Sequence, residues 1–374
     1  MEKMKMRVVF VVENFGRLIF TNNIFLYLLG FLFLPILLFY KGKVFKNKKY
    51  NEEFLSRTTT DCMKGLAILV VMIHHISLIM EKPAYMKPYM MFGYLAVTIF
   101  FLFSGYGLAV SIVKKRNYLQ GFFSKRLSKV YIPFVIINVV TILLASFSQG
   151  SYNIFQILIY ALGIKLIDST LWFIQTIILF YGVYYFAFSI LPKNFAAHSI
   201  LIFAFFYFIA CHKVGLGGWI YNTSFCFPIG VYMGLYYDKL YKFMKERYFA
   251  IAVLSIISFV ATFHLGNLVQ SSYQVFFATA SSVCFIFVTL IFLMKVKIKS
   301  EPLRLLGIIS YEMYLVHMKV FIIYFNFVRL SESYSTYIYI ALVVLVAVLF
   351  NKLFNIISVL INRIQVISLE ETEK

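Results

Sequence analysis

The chain has 374 residues, of which 62% are hydrophobic, 20% aromatic and 13% charged. A soluble domain sits nearer half apolar and a quarter charged, so this composition points to lipid as the solvent and excludes a water-soluble globular fold. The net charge of +20 does not indicate nucleic acid, because the basic residues fall in alternate loops between apolar runs, which is the signature of membrane topology.

Apolar runs long enough to span a bilayer as helices are expected near 18–40, 65–80, 92–113, 131–148, 171–190, 197–212, 221–237, 249–264, 273–294, 308–328 and 338–361. The predicted fold is an all-α integral membrane bundle of ten or eleven helices, since a lone span in lipid must satisfy its own backbone hydrogen bonds. The segment 152–168 is too polar for a span and is expected at the outer interface.

The stretches 41–57, 114–129, 191–196, 238–248, 295–304 and 351–374 hold 24 Lys and Arg, and the loops between them hold 5. The first set is therefore expected in the cytoplasm, together with the carboxyl terminus, and also suits contact with anionic lipid. This alternation sends the first span outward-to-inward, against the basic residues Lys3, Lys5, Arg7 and Arg17, unless that segment is re-entrant. Three parts follow: an amino-terminal extra segment and basic loop (1–57), a membrane domain (58–363) and a tail (364–374). The basic, then apolar, amino terminus lacks a small-residue cleavage site, and its first span is expected to be retained. Cys62, Cys211, Cys226 and Cys284 show neither metal-ligand spacing nor a disulfide framework.

The second span carries the first chemistry. In DCMKGLAILVVMIHH (61–75), Lys64 and His75 are eleven residues apart, about 20° past three full helical turns and roughly 16 Å along the axis. One face thus presents a cation at the cytoplasmic rim and an imidazole midway across, while His74 points about 100° away. Ionisable groups at such depth face a bundle interior or a wet cavity and are functional by default. The competing reading is a packed histidine and a lysine snorkelling to the headgroups, and it is the better one for His74.

Asp61, Lys64 and His75 fall on the D-x-x-R-x10-H pattern of the acyltransferase 3 family, with Lys64 where many members carry Arg, a change that loses a bidentate grip on phosphate. Four more stretches resemble family segments in the same order. These are FFLFSGYGLAV (100–110), KRLSKVYIPF (125–134), LWFIQTIILFY (171–181) and LGIISYEMYLVH (306–317). Together they cover roughly 58–361.

The resemblance implies acyl transfer, most simply of acetyl, from a cytoplasmic acyl-CoA to a hydroxyl of a cell-envelope or exported polysaccharide or lipid-linked glycan. A sugar hydroxyl needs a positioned base to take its proton as attack begins, and His75 suits that role. It equally suits a nucleophile that carries the acyl group as an acyl-imidazole. Lys64, Arg126 and Lys129 lie at cytoplasmic helix mouths, where they would meet the donor's phosphates as charge-assisted donors; positive-inside anchoring explains Arg126 and Lys129 as well. Ser104, Trp172, Tyr311 and His317 match family positions and are expected to support the site or line the acceptor path. Ser104 and Gly105 also suit close helix packing. Glu312 lies outside the fixed motif positions, either orienting an imidazole or sitting near the inner interface.

His198, His212 and His264 fall near span ends and read as interface residues. No H-E-x-x-H, Walker loop or Cys/His cluster is present, and no metal or permanently bound cofactor is expected beyond acyl-CoA as substrate. The chain ends at LEETEK soon after its last span, so the acceptor is expected to reach the membrane domain itself or to receive the acyl group from a separate protein. A proton-coupled transporter or flippase of a lipid-linked glycan is the rival function. Its mark would be duplicated halves with paired broken helices, and none is evident. A non-catalytic scaffold of an export machine is a third possibility.

Overall fold

The computed structural model describes residues 18–150, 152–269, 272–327 and 332–372, with side chains through Val359 apart from 147–149. The protein is an all-α polytopic membrane bundle. Among the described residues, eight helices are long and apolar enough to cross a membrane, and a bent pair makes a ninth. Two shorter apolar helices bring the number of spanning or near-spanning elements to the eleven expected.

In chain order, α1 (Ile24–Phe39) leads through the short strand β1 (Lys43–Val44) to α2 (Arg57–Ile79) and α3 (Lys87–Lys114). Then come α4 (Phe122–Ser146), α5 (Ile154–Ala161), α6 (Trp172–Ile190) and α7 (Lys193–Val214). The short α8 (Cys226–Leu235) and α9 (Tyr237–Glu246) precede α10 (Tyr248–Leu268) and α11 (Gln274–Lys295). Strand β2 (Val296–Lys297), α12 (Glu301–Ile308), α13 (Ser310–Phe327) and α14 (Ser335–Thr372) complete the chain.

Contacts between loops sort the two ends of the bundle. β1 pairs antiparallel with β2, Lys43 opposite Lys297, and Asn51 caps the end of α11 through the Met294 and Leu293 carbonyls. Lys297 bonds Glu53 at 2.7 Å, and this bond and charge hold the Glu53 carboxyl below its ordinary range. Two basic loops therefore meet at one end. At the other, Leu18 bridges to Met80 and Asn22 to Glu332. Helix α1 thus has its two ends at opposite ends of the bundle, although at 16 residues it rises only about 24 Å. Within it the π turn Leu28–Phe33 presents the Gly30 carbonyl to the Tyr89 hydroxyl at 2.7 Å.

Backbone-to-backbone contacts fix the helices that frame the site. A β-carbon on Gly307 would overlap the Asp61 carbonyl, and one on Gly65 would overlap that of Leu303. Helix α12 therefore lies directly across the first turns of α2, in the small-residue mode of membrane packing. The chain then bends by 77° into α13, with the Ser310 hydroxyl donating to the Gly307 carbonyl at 2.9 Å. Gly105 and Gly230 bring α3 and α8 together in the same way.

Segment 152–168, expected at the outer interface, does not stay there. Helix α5 opens with a capping box of Asn153 and Gln156, then folds back along α4. Asn138 donates to the Ala161 carbonyl at 3.3 Å and Tyr131 to that of Leu162 at 3.1 Å. Its polar residues made it unfit as a span, but they supply the bonds that let it descend beside α4 and lead into α6 near mid-bundle.

Candidate active site

Helix α2 delivers Lys64 and His75 as its register dictates. Ser56 caps its start, accepting from the Thr59 amide, and the helix continues unbroken past His75. The Lys64 ammonium bonds Asp61 at 2.7 Å, which also takes the exposed Arg57 at 3.7 Å. Asp61 thereby holds Lys64 beside the α12 crossing.

A cavity of about 340 Å³ begins at this lysine. Its rim and walls carry Lys64, Ser104, Lys129 and Tyr311 from four different helices, so four of the expected site residues converge. Lys129 and Val130 stand on a π turn (Leu127–Tyr131) just before Pro133; such turns recur at functional positions. The Val130 carbonyl there accepts the Tyr311 hydroxyl at 2.6 Å, tying α4 to α13 across the cavity wall. Arg126 stands near the start of α4, outside the cavity lining. Its guanidinium lies 4.9 Å from the Tyr181 ring and 5.4 Å from that of Phe122, and it bonds the Tyr118 hydroxyl at 3.1 Å. Tyr181, not Arg126, faces the cavity. Sequence spacing located the mouth but gave no sign that aromatic rings would enclose the arginine.

The inner wall of the cavity is aromatic: Phe100, Phe173 and Tyr314. The Phe173 and Tyr314 rings are 5.6 Å apart, and the Tyr314 hydroxyl bonds the Thr170 carbonyl. Beyond Tyr314 the imidazoles meet. His317 is 5.6 Å from Tyr314 and 5.2 Å from His75, ring centre to ring centre. His317 Nδ1 lies 2.7 Å from the Tyr314 carbonyl. A carbonyl only accepts, so Nδ1 carries the proton and Nε2 keeps a lone pair. That Nε2 is buried without a partner. His75 remains partly exposed. His74 bonds the Tyr89 carbonyl at 2.9 Å with its ring flush against Gly93, and its ring centre lies 5.1 Å from that of His75. Trp172 packs against Phe101 and Phe173, which places it behind the cavity wall.

Two residues beside this pair escaped the sequence reading. Lys319 and Asp168 form an ion pair at 2.5 Å, with side chains 7% and 2% exposed. The other Asp168 oxygen accepts from the Thr170 amide and hydroxyl, so the pair pins the start of α6 to α13. The signal was available, since a lysine midway along an apolar span requires a partner. Glu312 does not orient an imidazole; its Oε1 accepts from Asn351 at 2.9 Å. No group of three or more metal-ligating side chains occurs among the described residues.

The arrangement sets a lysine-rimmed cavity on one side of an aromatic wall and a pair of imidazoles on the other; neither histidine lines the cavity. A family profile described as an acyltransferase domain matches residues 58–352. The chain belongs to the acyltransferase 3 family. Neither the curated proteins nor the solved structures contain a match to it. Nearly every element that frames the cavity and both histidines lies within the matched region of this membrane acyltransferase.

Proposed function

We propose that this acyltransferase moves an acetyl group from acetyl-CoA, entering at the basic, cytoplasmic end, to a hydroxyl of a cell-envelope or exported polysaccharide. The observation that carries the reading is the pairing of His75 with His317 on the far side of a cavity rimmed by Lys64 and Lys129. The cavity volume lies at the low end of small-molecule sites, which suits a slender thioester arm with its phosphates held outside by the two lysines. From Lys64 to His75 is roughly 16 Å of helix, a span for an extended arm.

In this reading His75 acts as general base. It takes the acceptor hydroxyl's proton as the oxygen bonds to the thioester carbonyl carbon. The tetrahedral intermediate then expels the CoA sulfur, and the imidazolium returns the proton to the thiolate. His317, held in one tautomer by the Tyr314 carbonyl, keeps a lone pair toward the site and steadies the charged His75. The buried Lys319–Asp168 pair fixes the acceptor side through Thr170 and Tyr314.

The test is acetyl-CoA turnover by the purified protein in nanodiscs with envelope glycan extracts. Acyl transfer that is lost in His75→Ala, with unfolding temperature retained, supports the reading. No acetyl-CoA consumption with any extract, or glycan counterflow in proteoliposomes without a donor, overturns it in favour of transport.

A further inference from the structure

Glu312 holds an unfilled buried valence inside the cavity. The residue is 8% exposed, and while Oε1 is bonded to Asn351, Oε2 is buried with no partner. Leaving such an oxygen unpaired costs free energy that a ligand donor would recover. Lys64 is already engaged by Asp61, and no ion pair reaches Glu312 among the described residues.

The partners of Glu312 continue the feature outward. Asn351 Oδ1 accepts from Asn355 Nδ2 at 3.1 Å, and the two asparagines are one turn apart on α14, hence on one face. Glu312, Asn351 and Asn355 all line the cavity. They form a row from a buried carboxyl oxygen to an exposed carboxamide at the rim. Each carboxamide has two N–H groups and only one is used within the row. The row therefore offers an acceptor at depth and donors toward the rim. A chain of secondary amides, each pairing an N–H with a carbonyl, has the complementary sequence of groups.

We propose that Glu312, Asn351 and Asn355 form the subsite for the amide-linked arm of the thioester donor. Glu312 Oε2 accepts an amide N–H, and the asparagine carboxamides donate to amide carbonyls. The inference rests on the donor reading above and adds that the arm is recognised separately from the phosphates at the lysines. It makes this row a determinant of donor class: a pantetheine thioester is preferred over an acyl donor without amides.

Calorimetric titration of the full-length protein in nanodiscs tests this, with CoA and its 3′-phospho-ADP head as separate probes. Glu312→Gln retains an acceptor for Asn351 but replaces the second oxygen with a donor, and Asn355→Ala lies at the exposed rim where folding is unaffected. Each is expected to weaken CoA about tenfold, the worth of one charge-assisted or buried hydrogen bond, and to leave affinity for the head fragment unchanged. Lys64→Ala and Lys129→Ala are expected to weaken both probes. Wild-type affinity for CoA in Glu312→Gln and Asn355→Ala would overturn the subsite while leaving the donor reading standing. Failure of the wild type to bind either probe would overturn both.

Discussion

Removing one charge from the Asp168–Lys319 pair should cost more than removing both. The two side chains are 2% and 7% exposed and 2.5 Å apart, so neither charge is shared with solvent. Breaking a buried pair from one side leaves an uncompensated charge and costs about 3–5 kcal/mol. Asp168→Asn keeps an oxygen for the Thr170 amide and hydroxyl, so the substitution isolates the charge. Lys319→Met keeps an unbranched stem of similar bulk. Either orphan has a partial escape, the lysine by losing its proton and the aspartate by gaining one, which places both single variants toward the lower end of the range. The double variant has no orphan and is expected to recover at least about 2 kcal/mol relative to the sum of the singles. Unfolding free energies of the four proteins in mixed detergent micelles close the cycle. Single losses below about 1 kcal/mol that simply add would refute the argument that this pair is desolvated and coupled.

Further outcomes follow from individual contacts. His74→Ala should lower the unfolding temperature while leaving acyl transfer within about threefold, because its ring bonds the Tyr89 carbonyl and packs on Gly93; a loss of transfer equal to that of His75→Ala would contradict this. Gly307→Ala should destabilise by about 1–3 kcal/mol or more, since its β-carbon would overlap the Asp61 carbonyl; unfolding and donor affinity should fall together as α12 is pushed from Lys64. Tyr311→Phe removes the bond to the Val130 carbonyl and should cost about 0.5–1.5 kcal/mol in stability, read in the same unfolding assay. The Glu53–Lys297 tie has a pH signature. Because the Glu53 carboxyl is held below its ordinary value of 4.5, its contribution is complete above that pH and is lost as pH falls through the lowered value. Hydrogen exchange of residues 41–57 should rise there in the wild type and not further in Lys297→Met.

Much of this architecture was legible because lipid imposes strong rules. Long apolar runs and alternating basic loops gave the eleven elements, and the fixed rise and twist of a helix put Lys64 and His75 on one face of α2. The motif around 306–317 supplied His317 and Tyr311, though not the 5.2 Å meeting of His317 with His75. What escaped depends on contacts between distant segments. Helix α5 folds back along α4 because of bonds from Asn138 and Tyr131, and periodicity does not report such partners. Asp168 ends a polar stretch expected at the outer interface, and its burial comes from Lys319, 151 residues away in the chain. The alignment of Asn351 and Asn355 with Glu312 exists only once α13 and α14 are packed. Arg126 lies against Tyr181 and Phe122 rather than in the cavity lining, a placement that depends on the Tyr181 ring from α6.

The central claim is that the His75–His317 pair performs acyl transfer onto an envelope glycan. Mass spectrometry of envelope glycans from cells carrying the wild type, His75→Ala or His317→Ala, each at matched membrane abundance, addresses it most directly. One acetyl increment is expected on a particular glycan in the wild type, with its absence in His75→Ala and its strong reduction in His317→Ala. Full acetylation in His75→Ala cells would contradict it.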